Sequence, residues 1–203
     1  LSGGMTDFVP MGTNLLFSCM NMEDLVIGAE ICEDVWVPNP PGNRHALAGA
    51  TVIVNCSASD ETTGNDVYRR ELIGSQSARL VCGYVYADAG EGESSTDLVF
   101  AGHNLIYENG TLLREAERFS GGLIFADLDL ERLRNERRRL TTFGPIDSTS
   151  YMKVSFTLDK APLTLERFID AAPFVPDNKA ERDKRCEEIL SIQAMGLKKR
   201  LEH

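Results

Sequence analysis

The chain contains 203 residues, of which 42% are hydrophobic and 26% are charged. This length and composition suffice for one substantial globular core, and no apolar run approaches the ~18 residues that a membrane span requires. The formal net charge of -10 argues against a nucleic-acid-binding protein, which normally carries a basic face. We therefore expect neither nucleic acid nor a membrane among the partners of this protein.

The five cysteines are widely spaced and form no CxxC pair. Their odd number and spacing argue against a disulfide framework and against a zinc site, and they fit a reducing cytoplasm. We expect most of them to be small buried hydrophobic residues. The first residues do not show the basic and apolar pattern of a signal peptide. Because the chain begins at Leu1, we expect a fragment, and the final Leu201–His203 is either native or the remnant of a purification tag.

The first half of the chain predicts strands alternating with helices. We predict, in chain order, short strands and loops over 1–24, a buried strand at 25–31, a short helix at 44–48, a strand at 51–55, a helix at 66–80 and a strand at 81–87. Pro38, Pro40 and Pro41 argue against regular structure just before the first helix, and Asp66 is the expected cap of the second. This alternation with short connections is typical of a layered α/β domain.

The pattern changes after residue 89. We predict a loop at 90–96, short strands at 98–100, 104–107, 112–115 and 122–127, and an amphipathic helix at 129–140. Asn109-Gly110 predicts a type I′ hairpin turn. Four prolines mark residues 141–176 as an extended connection that leaves the domain, and a long helix with an apolar stripe follows at 177–201.

Cys32 stands at the end of the first long predicted strand, immediately before a turn. A side chain in that position projects from the edge of an open α/β sheet, where such sheets bind their ligands. A catalytic cysteine reacts as the thiolate and needs a group that takes its proton. The acidic neighbours Glu33 and Asp34 would not lower its pKa. On these neighbours alone, Cys32 is either a nucleophile or a buried structural thiol.

Other side chains give weaker indications of chemistry. His45 and His103 show no local signature of a Cys–His pair, and we expect them at packing or surface positions. Glu91 and Glu93 either hold a metal or partner or lie in a solvated loop. The basic cluster on the 129–140 helix is a solvated face or a protein interface, formed by Arg132, Arg134, Arg137, Arg138 and Arg139.

The segment 30–38, Glu-Ile-Cys-Glu-Asp-Val-Trp-Val-Pro, resembles the nucleophile motif of the nitrilase superfamily, in the form typical of glutamine-dependent NAD synthetases. Further similarities follow in the same order at residues 47–51, 55–59, 84–98, 173–176 and 192–197. The segment 84–98 resembles one that is specific to these synthetases within the superfamily. The chain is thus similar to the C-terminal half of their glutaminase domain and to the linker that leads to their synthetase domain.

The resemblance implies an α/β fold in three parts. Residues 1–140 would form part of a nitrilase-type four-layer α-β-β-α sandwich. Residues 141–176 would form an extended linker, and residues 177–203 the first helix leading to an ATP-dependent synthetase domain that this chain lacks. Because a partial sandwich leaves one face of its sheet exposed, we expect a homo-oligomer.

The resemblance also implies an activity and the residues that perform it. Glutamine would be hydrolysed through a thioester on Cys32, with the backbone N–H of Glu33 as an oxyanion donor. Ser59 matches a glutamine-binding position, Asn65 stands where a basic residue is usual, and Trp36 is a further candidate for substrate contact. The ammonia would pass to the synthetase domain, which uses ATP and Mg²⁺ to convert deamido-NAD to NAD. We expect no cofactor or metal in this chain itself.

In the family, the general-base Glu and the Lys of the triad precede the nucleophile motif, before residue 1 of this chain. We therefore expect the chain alone not to hydrolyse glutamine. One alternative is another nitrilase-superfamily amidase, against which residues 89–98 and the C-terminal helix argue. The other is a non-catalytic nitrilase-like scaffold, which the missing Glu and Lys favour.

Overall fold

The computed structural model describes residues 9–159, 161–176 and 178–202. The chain separates into two compact units, Leu1–Leu165 and Glu166–His203. The elements in chain order are β1 (Leu15–Cys19), β2 (Val26–Ile31), α1 (Pro41–Leu47), β3 (Val52–Ser57), α2 (Asn65–Leu80), β4 (Gly83–Asp88), β5 (Leu105–Glu108), β6 (Thr111–Glu115), α3 (Leu130–Arg139), β7 (Met152–Phe156) and α4 (Lys179–Leu201). Two 3₁₀ turns lie at Cys32–Val35 and Glu91–Glu93.

The seven strands form one sheet in the order β6-β5-β4-β3-β2-β1-β7. β2, β3 and β4 are parallel neighbours, and α1 and α2 provide the crossovers that parallel strands require. In their register, Ile31 lies beside Cys56 and Cys56 lies beside Ala87. The three strands therefore end at the same edge of the sheet, and the residues at their carboxyl ends lie close together.

Both crossover helices pack on one face of the sheet. α1 contacts β2 and β3, and α2 contacts β4 and β5. The core between helices and sheet includes Ile53 and Tyr84, which are fully buried. Alternate residues point to the opposite face, where Ile31, Cys56 and Ala87 are exposed. One helical layer and one sheet layer are two of the four layers of a nitrilase-type sandwich, so the described residues have a partial fold of that type.

The predicted hairpin between β5 and β6 is confirmed. Asn109 and Gly110 have φ angles of 46° and 81°, and a type I′ turn needs positive φ at both central positions. β5 and β6 pair in antiparallel fashion on either side of the turn.

Two predictions at helix starts are wrong. Pro41 is the first residue of α1, because the first N–H groups of a helix have no partner within it and proline is tolerated there. α2 begins at Asn65, after Gly64 at φ 86°. Asp66 therefore lies inside the first turn, where its carboxylate pairs with Arg70 at 2.9 Å instead of capping the helix.

Two predicted strands are absent from the described residues. Leu98 makes only an isolated bridge with Ser95, and residues 122–127 join no strand. A strand needs a neighbouring strand that pairs with its backbone N–H and C=O groups, whereas the Phe125 carbonyl accepts a hydrogen bond from the Arg114 side chain at 3.2 Å. The apolar residues Leu123 and Phe125 of this second segment are 82% and 70% exposed.

The stretch 141–176, predicted as an extended connection, contains the edge strand β7. This strand runs parallel to β1, with Met152, Val154 and Phe156 beside Leu15, Phe17 and Cys19. Its sequence Met-Lys-Val-Ser-Phe alternates apolar and polar residues, as a half-buried strand does. The flanking prolines obscured this short pattern, and the chain returns to the sheet before it continues.

The predicted C-terminal helix is present as α4, with the Asn178 side chain accepting the N–H of Ala180 at 2.9 Å. Its predicted apolar stripe is exposed, since the relative exposures of Ile189, Ile192 and Met195 lie between 49% and 66%. No helix within the described ranges is both long and apolar enough to cross a membrane.

Arg137 corrects the prediction that the arginines of α3 form only a solvated face or an interface. Its guanidinium donates to the carbonyl oxygens of Ala50 at 2.7 Å and of Leu80 and Val81 at 3.0 Å. The same group lies 4.7 Å from the centre of the Phe143 ring, within range of a cation–π interaction. Arg137 therefore fastens α3 to the amino ends of β3 and β4.

We expect Arg137→Ala to lower the free energy of unfolding by about 2–4 kcal/mol, because it leaves three carbonyl groups without their donor. Urea unfolding followed by circular dichroism measures this difference. The exposed neighbour Arg138 supplies the matched control, and Arg138→Ala should change stability by less than about 0.5 kcal/mol. Equal effects of the two substitutions would contradict this role of Arg137.

Glu30 places a carboxyl group in the core beneath the end of β2. It is only 2% exposed, and it accepts hydrogen bonds from the Tyr84 hydroxyl and from the Gly42 N–H, the latter at 2.6 Å. Burial raises the pKa of Glu30 above its usual 4.5, although these hydrogen bonds act in the opposite direction. The folded state therefore holds this proton more tightly than the unfolded state does.

We expect Glu30→Gln to change how stability depends on pH. A raised pKa in the folded state contributes stability below the usual value of 4.5, and this contribution is lost as pH rises through the raised value. Relative to the wild type, the glutamine variant should therefore gain unfolding free energy as the pH rises above the usual pKa of 4.5. Urea titrations at several pH values measure this, and parallel stability curves for the two proteins would contradict it.

Candidate active site

Cys32 follows the last residue of β2 and opens the 3₁₀ turn Cys32–Val35. Its φ is 50°, a left-handed conformation that is uncommon for a residue with a side chain and persists only where the surroundings impose it. The Asp34 carboxylate closes the turn by accepting the N–H of Ile31 at 2.8 Å. The Cys32 side chain is partly buried, so its sulfur lies at the edge of the sheet and not inside the core.

Asn55 on β3 holds the backbone of Cys32 on both sides. Its Oδ1 accepts the Cys32 N–H at 3.0 Å, and its Nδ2 donates to the Cys32 carbonyl at 3.3 Å. Asn55 is itself 1% exposed, and its Nδ2 also lies 3.5 Å from the Tyr84 hydroxyl that donates to Glu30. The unusual conformation of Cys32 is therefore fixed by a hydrogen-bond network that continues into the core.

The sulfur of Cys32 has a hydroxyl group beside it. Ser57 Oγ lies 3.6 Å from Cys32 Sγ, and the Tyr86 hydroxyl donates to Ser57 Oγ at 2.7 Å. Ile31 pairs with Cys56 in the sheet. The residues that follow them in the chain, Cys32 and Ser57, therefore lie side by side. The sequence motifs did not single out Ser57, Asn55 or Tyr86. The available signal was alternation along β3, which places positions 55 and 57 on one face.

Ser59, predicted to bind substrate, lies two residues beyond the end of β3. Its backbone N–H donates to Asp88 Oδ1 at 2.9 Å, and its hydroxyl accepts from Arg69 Nη2 at 3.2 Å. Burial raises the pKa of Tyr86, while hydrogen bonds with the Ser57 and Ser59 side chains lower it in part. Ser59 therefore contributes to the electrostatic surroundings of the Tyr86 hydroxyl, which donates to the Ser57 hydroxyl beside Cys32.

The other predicted site residues lie around the turn and the start of α2. Trp36 packs against Tyr68 of α2 with ring centroids 5.3 Å apart. Asn65 is the first residue of α2, and its Nδ2 donates to the Asp60 carbonyl at 3.1 Å. Glu33 is exposed and follows Cys32 directly in the chain.

A buried ionic network supports this end of the sheet. Arg69 of α2 is fully buried and donates to Glu61 at 3.0 Å and to His103 Nδ1 at 2.8 Å. Arginine only donates hydrogen bonds, so Nδ1 must accept and Nε2 carries the proton that is donated to Glu115 at 2.6 Å. Burial also raises the pKa of Asp88, against the opposite effects of the Ser59 N–H and of Arg69.

Both internal histidines are engaged away from Cys32. Burial lowers the pKa of His103, which agrees with its neutral state between Arg69 and Glu115. His45 bonds through its two ring nitrogens to the Tyr151 hydroxyl at 2.9 Å and the Ala29 carbonyl at 3.0 Å. The expectation of packing positions for these histidines is confirmed.

The remaining candidates do not form a second site of this kind. A groove of about 490 Å³ lies at the amino ends of β2 and β3, where Val26 and Thr51 line it, and not at the edge that carries Cys32. Glu91 and Glu93 are exposed. In the part of the chain that the structure describes, no three His, Cys, Asp or Glu side chains are grouped to hold a metal ion.

The chain matches known proteins along most of its length. Residues 5–138 match the carbon-nitrogen hydrolase family. The chain is 44% identical over 203 residues to the glutamine-dependent NAD(+) synthetase of Mycobacterium tuberculosis (strain ATCC 25618 / H37Rv), a match that covers 95% of this chain. It covers 30% of that relative, so the chain spans less than a third of its length.

Two solved structures resemble the fold. A glutamine-dependent NAD+ synthetase from Acinetobacter baumannii, in complex with adenosine diphosphate, has a TM-score of 0.54 at 21% identity, covering 62% of this chain and 23% of that chain. A nitrilase-superfamily protein from Saccharomyces cerevisiae has a TM-score of 0.50 at 22% identity, covering 57% of this chain and 42% of that chain. Together with the match over residues 5–138, these similarities identify the chain as a member of the carbon-nitrogen hydrolase family.

Proposed function

We propose that this chain carries the nucleophile of a cytoplasmic glutamine amidase whose ammonia serves the conversion of deamido-NAD to NAD. The observation that carries the proposal is Cys32 itself, held at a positive φ by Asn55 and with a hydroxyl group beside its sulfur. Strained backbone that is imposed by its surroundings is common at reactive residues. The similarity to the synthetase of M. tuberculosis supports glutamine as the amide and NAD synthesis as the destination of the ammonia.

The proposed reaction consumes glutamine and water and forms glutamate and ammonia. Cys32 Sγ attacks the side-chain amide carbon of glutamine, the C–N bond breaks, and the nitrogen leaves as ammonia after it gains a proton. Water then attacks the thioester, which releases glutamate and restores the thiol. The backbone N–H of Glu33 stabilises the negative charge on the amide oxygen during both steps.

The proton of the thiol needs an acceptor, and two carboxylates close to Cys32 in sequence, those of Asp34 and Glu30, are otherwise engaged. Asp34 accepts the Ile31 N–H, and Glu30 is buried in the core. Lys153 is the only lysine among residues 9–159, and it lies on the edge strand β7. We therefore assign the base and the cation to the Glu and Lys that the family resemblance implies, and not to residues of this chain.

Glutamine would bind beside the turn that carries Cys32. We place Ser59 at its polar end, since the hydroxyl is oriented by Arg69. Trp36 would form a wall of the glutamine pocket. Asn65 would contribute its side-chain amide at the position where the related synthetases usually have a basic residue. ATP and Mg²⁺ belong to the synthetase step, and no residue of this chain is assigned to them.

Cys32→Ala tests the assignment. The chain is supplied together with the parts of the M. tuberculosis relative that lie outside the match, and ammonia release from glutamine is measured. We expect Cys32→Ala to lower the rate by at least about 10³-fold, because the thioester cannot form. Cys56→Ala removes an exposed thiol at the same edge of the sheet and should leave the rate unchanged. Ammonia release that survives Cys32→Ala would overturn the proposal.

The proposal includes self-association. Ile31, Cys56 and Ala87 are exposed on the sheet face opposite the helices, and Ile31 has 69% of its surface accessible. Apolar area of this kind favours burial against another surface. We expect light scattering to give a mass above that of one chain, and a monomeric mass at micromolar concentration would contradict this expectation.

A further inference from the structure

We propose that a directed chain of hydrogen bonds ends on Cys32 Sγ and stabilises its thiolate. Ser57 is the donor to the sulfur, and Tyr86 is the positioning residue that fixes the direction of the Ser57 hydroxyl. This inference deepens the proposed function and rests on Cys32 being the nucleophile. Its test does not depend on glutamine turnover.

The contacts that carry the inference lie in the buried part of the site. Ser57 Oγ is 3.6 Å from Cys32 Sγ and 2.7 Å from the Tyr86 hydroxyl. Ser57 is 9% exposed and Tyr86 is 1% exposed, so water has little access to either hydroxyl. Each hydroxyl has one hydrogen to donate, and the direction of each bond therefore determines the direction of the next.

Arg69 orients a neighbouring hydroxyl group, that of Ser59. Its guanidinium can only donate, and Nη2 lies 3.2 Å from Ser59 Oγ, so Ser59 accepts there. The Ser59 hydrogen then points away from Arg69, and the interaction of the Ser59 side chain with the phenol lowers the pKa of Tyr86 in part, against the raising effect of burial.

The order continues towards the sulfur. Tyr86 donates to Ser57 Oγ, so the hydrogen of Ser57 is left for the remaining neighbour, Cys32 Sγ. Burial raises the pKa of Tyr86, which keeps the phenol protonated and able to donate.

A donor aimed at sulfur favours the charged form of the cysteine. A hydrogen bond to a thiolate lowers its free energy relative to the thiol, which lowers the pKa of the cysteine. The same contact favours cleavage of a thioester, because the sulfur leaves as a thiolate. The Ser57 hydroxyl therefore assists at both ends of the proposed reaction without exchanging its own proton.

The test measures the pKa of Cys32 through the pH dependence of its alkylation. The full chain is treated with iodoacetamide at a series of pH values, and modification of the peptide that contains Cys32 is followed by mass spectrometry. We expect Ser57→Ala to raise the midpoint for Cys32 by about 0.5–1 pH unit. Ser57→Thr retains the hydroxyl and should hold the midpoint within about 0.3 unit of the wild type. Cys56, measured in the same samples, is the internal control for general changes in reactivity or folding.

Tyr86→Phe distinguishes a directed chain from a simple contact between Ser57 and the sulfur. The variant leaves Ser57 in place but removes the group that orients it, so the Cys32 midpoint should rise. The same substitution in the Ser57→Ala background should have no further effect, since coupled residues are not additive. An unchanged or lowered midpoint in Ser57→Ala would overturn the inference, as would a Tyr86→Phe effect that persists without Ser57.

The outcomes separate this inference from the proposed function. A raised midpoint in Ser57→Ala, together with ammonia release that survives Cys32→Ala, would leave the hydrogen-bond chain standing and refute the amidase. Loss of ammonia release in Cys32→Ala with an unchanged midpoint in Ser57→Ala would support the amidase and refute the hydrogen-bond chain.

Discussion

The parallel register of β2, β3 and β4 is the constraint on which the candidate site depends. It aligns the strands in rows, and successive rows face opposite sides of the sheet. On the face that the helices cover, one row consists of Gly28, Ile53 and Tyr84 and lies in the core. The next row on this same face consists of Glu30, Asn55 and Tyr86. The row after that consists of Cys32 with Ser57 and Asp88. Polarity thus increases towards the carboxyl edge, and a slip of one residue would move the groups around Cys32 to the opposite face.

The same register explains why two cysteines at one edge of the sheet have different surroundings. Cys56 lies in the row that contains Ile31 and Ala87, on the face away from the helices. Its neighbours in that row have apolar side chains, so neither of them can donate a hydrogen bond to the Cys56 thiol. Cys32 lies beyond the end of β2, where the backbone turns and its sulfur meets Ser57. Exposure alone would favour Cys56 as the reactive thiol, whereas the hydrogen-bonding groups are at Cys32.

The sequence predicted those parts of the structure that depend on neighbouring residues in the chain. Asn109 and Gly110 define their turn by their own backbone preferences, and the strand ending at Ile31 is evident from its apolar run. Residues 122–127 have a similar apolar character but join no strand within the described residues, since strand formation depends on a partner that lies elsewhere in the chain. The surroundings of Cys32 escaped prediction for the same reason. Ser57 and Tyr86 are 25 and 54 positions away in sequence, and only the register of three strands brings them to the sulfur.

Arg69 shows how a buried charge can determine the direction of neighbouring hydrogen bonds. Burying a guanidinium costs free energy unless acceptors surround it, and Glu61, His103 and Ser59 fill that role here. Each of these partners must accept, because arginine has no lone pair to offer. The requirement fixes the tautomer of His103 on one side and the orientation of the Ser59 hydroxyl on the other. A neutral amide in the place of Arg69 would both donate and accept, and would leave that orientation undetermined. The ionic network around Arg69 therefore orients the Ser59 hydroxyl, whose interaction with Tyr86 brings it next to the hydroxyl groups that lead to Cys32.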